Sequence, residues 1–119
     1  MAEALAKHYW GEGLNIASAG VSPLGYIPEE TIEVLEEIEV STRGLYSKGF
    51  DEIELQGYQL LLDLAAYQLQ GVLPASFTGR VITWQVKDPY SEGVNSFRQT
   101  RDAIEWLITE KLPGWLEEI

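Results

Sequence analysis

The order of apolar and polar residues along the chain predicts helices and short strands in alternation. Residues 2–10 are rich in alanine and leucine, which favour a helix, and Gly11 and Gly13 end it. Residues 14–19 form a short run that contains the β-branched Ile16 and is bounded by glycines. We therefore expect a first helix at residues 2–10 and a strand at residues 14–19.

A second helix is predicted to begin at Pro28, because proline favours the first turn of a helix. Glu29 and Glu30 would lie in that turn, where carboxylates interact favourably with the positive end of the helix dipole. The apolar stripe of this helix is predicted to consist of Ile32, Leu35 and Ile38. Its remaining acidic residues are expected to face water.

The middle of the chain mixes loop, helix and strand patterns. Residues 41–52 are polar and punctuated by glycine, which predicts a loop leading into a short helix at residues 50–55. The apolar run that follows is predicted to hold a strand at residues 58–62 and then a helix, with the division near Asp63. Periodicity alone does not fix where that strand joins the helix.

The strongest strand pattern lies at residues 80–86, which read RVITWQV and are rich in β-branched residues and tryptophan. Residues 94–112 then show the periodicity of a long amphipathic helix, which Pro113 is predicted to end. The residues predicted to face inward from this helix are Phe97, Ile104, Leu107 and Ile108.

Alternating strands and helices predict an α/β fold, with a parallel sheet covered by helices on both faces. No repeat, low-complexity tract or linker divides the chain, so we expect one domain over residues 1–119. Ligands of such folds bind in the loops that follow the carboxyl ends of the strands. The loop after the strongest strand, residues 87–93 with the sequence KDPYSEG, is therefore the first candidate site.

Charge narrows the set of partners. Acidic residues outnumber basic ones by 19 to 8, and the formal net charge is -11. Nucleic acids and anionic membrane surfaces would be repelled, so neither is expected as a partner. No apolar run reaches the length of a membrane span, and the first residues lack the pattern of a signal peptide. We expect a soluble cytoplasmic protein.

Cysteine is absent from all 119 residues. This excludes disulfides, thiolate metal sites and a cysteine nucleophile within them. His8 is the only histidine and lies beside Tyr9 and Trp10 in a predicted helix, where packing is a simpler role than metal binding. The acidic residues at 29–39 lack the spacing of a calcium-binding loop. We therefore expect no metal and no cofactor.

Several segments in order carry a resemblance to a known family. They are MAEAL, SAG, PEETIEVLEE, STRGL, WQVKDPY and FRQTRDAIEWLI. In this order, and across nearly the whole chain, they resemble the low-molecular-weight protein tyrosine phosphatases and the related arsenate reductases. The resemblance implies a three-layer α/β fold with helices on both faces of a parallel sheet.

The resemblance also implies that a strand and a catalytic loop are missing from residues 1–119. In the family a first, central strand leads into a loop of the form Cys, five residues, Arg, Ser or Thr, and the next helix begins close to PMAEAL. We therefore expect a truncated domain without the nucleophilic cysteine or the phosphate-binding arginine. Its strands at residues 14–19 and 58–62 are expected to close on each other. Alternatively, two chains are expected to pair as a homodimer or a strand-swapped oligomer.

The family's general acid is an aspartate in an Asp-Pro pair, and the resemblance assigns this role to Asp88. Pro89 would restrict the loop backbone, and Tyr90 would line the cleft against an aromatic substrate. Both are expected to contribute to substrate binding. An Asp-Pro pair after a strand is also a common turn, which needs no catalytic explanation.

Two classes of function remain open at this point. In the first, the chain is a phosphotyrosine phosphatase-like protein, or a truncated arsenate reductase, that is inactive because it lacks the nucleophile. Arsenate reduction would need additional cysteines, which are absent. In the second, the chain is a non-catalytic binding or regulatory relative. The partners that the resemblance implies are a phosphorylated protein or a small oxyanion.

Overall fold

The computed structural model describes residues 1–20, 24–65, 73–75 and 77–119. Its helices are Ala2–Trp10 (α1), Glu29–Glu36 (α2), Val94–Trp106 (α3) and Leu112–Glu117 (α4). Its strands are Leu60–Asp63 (β1) and Arg80–Thr83 (β2). Two turns of 3₁₀ helix, Phe50–Glu52 and Leu55–Gly57, replace the short helix predicted at residues 50–55. No helix within these ranges is long and apolar enough to cross a bilayer.

The two strands form a parallel sheet. Leu60 lies opposite Arg80, and the register continues to Asp63 opposite Thr83. Parallel pairing of the two strands, together with the helices before and after them, confirms the α/β class. The helix predicted after Asp63 falls on residues 66–72, outside the described residues, so the helical layer on the second face stays a prediction. The strand predicted at residues 80–86 is regular only to Thr83, although the Val86 amide still donates to the Leu64 carbonyl oxygen at 2.7 Å.

The prediction of a strand at residues 14–19 is wrong. These residues are irregular, and only the next residue, Gly20, forms an isolated parallel bridge, with Gly49. Nor do residues 14–19 pair with residues 58–62, as the expected closure of the sheet required. The physical reason is local, because the Ser18 amide donates to the Glu3 side chain rather than to a neighbouring strand.

The hydrophobic core lies between the helices and one face of the sheet. Its most buried members are Leu5, Val34, Leu35 and Leu107. Leu60 and Leu62 of β1 are half-buried and pack against this core. Helix α1 has the predicted bounds, and its buried residues lie in its first turns. Burial of these apolar side chains is the main source of stability in a domain of this size.

Helix α2 buries Leu35 as predicted, but the rest of its buried stripe differs from the one predicted. Val34 and Leu35 are fully buried and Thr31 is nearly so, whereas Ile32 and Ile38 are half-buried. The difference arises because α3 packs against α2 and fixes its rotation. Arg101 of α3 donates from Nη1 to the Val34 carbonyl oxygen at 2.8 Å and to Glu37 Oε1 at 2.8 Å.

The C-terminal helix confirms the predicted inward face but not its predicted end. Phe97, Ile104, Leu107 and Ile108 are all buried. After α3 the backbone widens into a π-helical segment, Leu107–Lys111, and then continues as α4. Pro113 lies in the first turn of α4 instead of ending the helix.

A buried carboxylate joins α1 to the two loops beside it. The Glu3 side chain is 3% exposed, and its Oε1 accepts a hydrogen bond from Lys48 Nζ at 2.8 Å. The same oxygen accepts from the Ser18 amide at 2.8 Å and from Ser18 Oγ at 2.9 Å. Lys7 Nζ donates to Glu3 Oε2 at 2.9 Å. Burial of Glu3 opposes its ionisation more than any other single effect, but these bonds together lower its pKa to about 2.

We expect the Glu3→Gln variant to be less stable than the wild type at neutral pH by about 3 kcal/mol, because Lys48 would stay buried without its counter-charge. The free energy of unfolding would be measured in urea. The pKa of Glu3 is about 2 in the folded chain, whereas its ordinary value is 4.5. The difference in the free energy of unfolding between variant and wild type should therefore reach its full size above pH 4.5. It should shrink as the pH falls towards 2.

Lys7→Ala is the matched control for this prediction. Lys7 binds the same carboxylate, but its side chain is 52% exposed. We expect its loss to change the free energy of unfolding by less than about 1 kcal/mol. Equal losses in Glu3→Gln and Lys7→Ala, or a difference that does not depend on pH, would contradict a buried ion pair.

Candidate functional site

The loop after β2 presents Asp88 at the surface through a local turn. Asp88 is exposed, and its Oδ1 accepts a hydrogen bond from the Tyr90 amide at 3.0 Å. Pro89, between them, is buried. The Glu92 amide donates to the Pro89 carbonyl oxygen at 3.0 Å and tightens the loop further. The Asp-Pro pair is therefore a true turn, as its composition predicts, and its carboxylate still faces solvent.

Both ends of this loop are fixed to α3. The Thr100 hydroxyl donates to the Lys87 carbonyl oxygen at 3.1 Å, which ties the start of the loop to the helix. At the other end Gly93 has a φ of +89°, a conformation that favours glycine, and caps the first turn of α3. Asp88 is thus held in position by the backbone of a loop that is fixed at both ends.

Tyr26 is part of the site, although no motif in the sequence indicated it. Its hydroxyl lies 2.7 Å from the hydroxyl of Tyr90, and 64 residues separate the two along the chain. The loop that carries Tyr26 is anchored by the Gly25 amide, which donates to Ser47 Oγ at 3.0 Å. Tyr26 is 52% exposed and Tyr90 is 44% exposed, so the two rings form an aromatic wall open to solvent.

The hydroxyl pair changes the acidity of Tyr26. Its hydrogen bond with Tyr90 is the largest cause that raises the pKa of Tyr26 above the ordinary value of 10, and the negative charge of Glu30 adds to the effect. Tyr26 is consequently neutral at physiological pH. The two rings give the loop an apolar surface against which an aryl group can pack.

The site holds a carboxylate and two phenols but no thiol, because the chain has no cysteine. Within the described ranges, no group of three or more histidine, aspartate or glutamate side chains is arranged so that it could hold a metal ion.

A separate surface depression along α2, of about 560 Å³, is lined by four glutamates and two isoleucines. Its negative lining opposes the binding of an oxyanion. At the loop after β2, the exposed Asp88 carboxylate is the candidate group for acid–base chemistry.

The family model described as low molecular weight phosphotyrosine protein phosphatase matches residues 1–119. Among solved structures, the YwlE arginine phosphatase with a phosphorylated active-site serine is 28% identical in sequence, with a TM-score of 0.74. That alignment covers 98% of this chain and 86% of the phosphatase.

Two further structures share the fold. The tyrosine phosphatase Wzb from Escherichia coli K30, in complex with sulphate, is 22% identical with a TM-score of 0.79, and the match covers 98% of this chain and 86% of Wzb. An arsenate reductase from Archaeoglobus fulgidus DSM 4304 is 23% identical with a TM-score of 0.76, and the match covers 95% of this chain and 87% of the reductase.

The hydrogen bond between the Tyr26 and Tyr90 hydroxyls predicts how the pKa of Tyr26 responds to the Tyr90→Phe substitution. Loss of the Tyr90 hydroxyl should lower the pKa of Tyr26 towards 10, because that hydrogen bond is the largest cause of its elevation. The titration would be followed by NMR on tyrosine labelled with ¹³C at Cζ. Tyr9→Phe is the control, since Tyr9 bonds to Glu105 instead. An unchanged Tyr26 titration in Tyr90→Phe would mean that the two hydroxyls do not meet in solution.

Proposed function

Since the chain belongs to the low molecular weight phosphotyrosine protein phosphatase family, we propose that it carries the acid side of a phosphomonoesterase site, with Asp88 as the general acid. The observation that carries the proposal is the loop after β2, which holds an exposed Asp88 carboxylate beside the Tyr26 and Tyr90 rings. An acid must reach the leaving oxygen of a bound ester, and an exposed, anchored carboxylate meets that requirement.

The proposed chemistry divides between three residues. The protonated Asp88 carboxyl would donate its proton to the ester oxygen as the bond from phosphorus to that oxygen breaks, and its carboxylate would later accept a proton from the attacking water. Tyr90 would pack its ring against the aryl group that leaves. Pro89, which is buried, would limit the freedom of the loop, so that Asp88 stays within reach of that oxygen.

Two structural neighbours support a small oxyanion or a phosphoryl group as the class of ligand. The Wzb structure is a complex with sulphate, and in the YwlE mutant structure the phosphoryl group is on the active-site serine of the enzyme itself. A phosphorylated protein is the larger ligand that would carry such a group. A second copy of the chain has no role in this proposal, since a net charge of -11 on each copy opposes the expected homodimer.

The nucleophilic half of the reaction is absent from residues 1–119. Without a cysteine, no phosphocysteine intermediate forms on this chain, and no disulfide relay of the kind that arsenate reduction needs is available. We therefore propose that residues 1–119 have no catalytic activity by themselves. This applies both to a non-catalytic binding relative and to a protein in which further residues supply the nucleophile.

A non-catalytic binding or regulatory role is the second candidate. It is favoured by the absence of cysteine, and so of the family's nucleophile, from residues 1–119. The net charge of -11 makes a basic partner more suitable than an acidic one.

The purified 119-residue chain is expected to hydrolyse p-nitrophenyl phosphate no faster than buffer does, because it has no thiol to attack phosphorus. Release of nitrophenolate would be followed by absorbance. Asp88→Ala should give the same background. A rate that survives repeated purification and disappears in Asp88→Ala would show that the chain hydrolyses the ester by another route and overturn this part of the proposal.

The acid role of Asp88 is tested in the native protein, whose intact mass and N-terminal sequence would first be determined from source cells. If that protein holds a cysteine loop ahead of these residues, Asp88→Ala in it should slow hydrolysis by roughly 10²–10⁴-fold. The loss should be larger for phenyl phosphate than for p-nitrophenyl phosphate, because phenolate is the poorer leaving group and needs the proton more.

Asp102→Ala is the control for the acid role, since Asp102 is an exposed carboxylate on α3 outside the loop. Equal losses for the two esters would contradict a general acid and would leave Asp88 a structural turn residue. If the native protein begins at Met1, the binding role replaces the catalytic one.

A further inference from the structure

Three tryptophans meet beside the end of β2 and form a tryptophan cluster. Trp84 directly follows the strand, Trp106 is the last residue of α3, and Trp115 lies in α4. The ring centroid of Trp84 lies 5.8 Å from that of Trp106 and 5.8 Å from that of Trp115. Trp84 is 37% exposed and Trp106 is 48% exposed, so the cluster presents a broad aromatic surface to solvent.

The ammonium group of Lys111 lies over this cluster. Its Nζ is 5.7 Å from the ring centroid of Trp84 and 5.5 Å from that of Trp106. The chain has 19 acidic residues, but none within the described part of it forms an ion pair with Lys111. The faces of the indole rings carry partial negative charge and attract a cation. The cluster therefore already holds one cationic group of the chain itself.

The π-helical segment Leu107–Lys111 places Trp106 and Lys111 on the same side of the helix. The Leu112 amide donates to the Leu107 carbonyl oxygen, five residues before it. In a regular α-helix, residues five positions apart point about 140° away from each other, because each residue turns the helix by about 100°. The wider π-helical turn brings such residues closer into line, and π-helical segments are frequent at functional sites.

The hold of the rings on Lys111 is weak enough to be replaced. Both distances from Nζ are close to the limit of a cation–π contact, which is roughly 6 Å. A lysine ammonium is also strongly hydrated and is carried on a flexible stem, so Lys111 can move into water at little cost. An arginine guanidinium is flat and less strongly hydrated, and it stacks on aromatic faces. It is therefore the side-chain cation best suited to take the place of Lys111.

The charge around the cluster also favours a cationic ligand. The chain carries a net charge of -11, and the exposed Glu110 is the neighbour of Lys111 in sequence. Glu118 follows Trp115 by three residues in α4 and pairs with the guanidinium of Arg80. Carboxylates at these positions can accept hydrogen bonds from a guanidinium that stacks on the rings. A second copy of the chain is disfavoured as the ligand, because it carries the same charge of -11.

We propose that the tryptophan cluster binds an arginine side chain of a basic polypeptide segment, and that Lys111 occupies the same place in the free chain as an internal competitor. The arginine guanidinium would displace the Lys111 ammonium and stack on the rings of Trp84 and Trp106. This inference uses neither Asp88 nor the two tyrosines beside its loop. It therefore stands or fails apart from the proposed function.

Binding is tested by NMR on the 119-residue chain with an acetylated and amidated peptide of sequence AGRAGRA. Its matched control carries citrulline in place of both arginines, which keeps the shape of the side chains and removes their charge. The arginine peptide should shift the indole ¹H–¹⁵N signals of Trp84 and Trp106, and the citrulline peptide should shift neither. The signal of Trp10, whose indole donates to the Ile108 carbonyl oxygen, should stay in place.

Two lysine variants separate displacement of Lys111 from the general effect of charge. Lys111→Gln and Lys87→Gln remove the same charge, but Lys87 pairs with Glu92 in the loop after β2. Lys111→Gln should bind the arginine peptide about threefold more tightly than the wild type, because the competitor is lost. Lys87→Gln should change the dissociation constant by less than about twofold, since salt screens an exposed charge outside the cluster.

An aromatic variant locates the binding surface. Trp106→Leu should weaken binding of the arginine peptide by about threefold or more. Tyr46→Leu is its control, because Tyr46 is also exposed and carries Lys48 Nζ 4.4 Å from its ring centroid, yet lies outside the cluster. It should leave peptide binding unchanged. If Trp106→Leu fails to fold, as judged by circular dichroism, the comparison of the two lysine variants decides the question.

Three outcomes would overturn the proposal. Equal shifts with the arginine and citrulline peptides, or none at Trp84 and Trp106, would show that the cluster does not bind a guanidinium. Equal affinities of Lys111→Gln and Lys87→Gln would show that Lys111 does not compete for the place. Indole signals of the cluster that shift with protein concentration, in the absence of peptide, would identify a second copy of the chain as the occupant.

Discussion

The arrangement of this chain depends on one buried carboxylate. Glu3 lies inside α1, where burial alone would favour its neutral form, and it stays ionised because Lys48, Ser18 and Lys7 all donate to it. The bonds to Ser18 and Lys48 fix two loops that are distant in sequence. They also hold Ser18 against α1, so that residues 14–19 stay irregular instead of forming a strand.

A second set of contacts determines where the candidate site lies. Arg101 joins α3 to α2 through the Val34 carbonyl oxygen and Glu37, and Arg98 Nη2 adds a contact to Glu37 Oε2 at 2.6 Å. With α3 fixed in this way, Thr100 holds the loop that carries Asp88. The position of Asp88 therefore follows from helix packing, and the strand before it contributes mainly the direction in which the loop leaves the sheet.

The candidate site holds one part of the chemistry that the proposed hydrolysis needs. Cleavage of a phosphate ester requires an acid and a nucleophile within reach of one phosphorus atom. Residues 1–119 hold the Asp88 carboxylate and the two tyrosines beside its loop, but no cysteine. The proposed acid and the nucleophile can therefore be tested separately.

The sequence alone determined the features that depend on local patterns. Helix α1, the inward face of α3, the parallel α/β class, the strand starting at Arg80 and the turn at Asp88 all follow from periodicity, glycine, proline and charge. Tertiary structure decided the rest, because contacts between distant residues outweigh weak local preferences. Glu3 took the Ser18 amide that a strand would have used, and α3 set the rotation of α2 and so its buried stripe. The π-helical segment placed Pro113 in a first turn, and chain folding brought Tyr26 to Tyr90 across 64 residues.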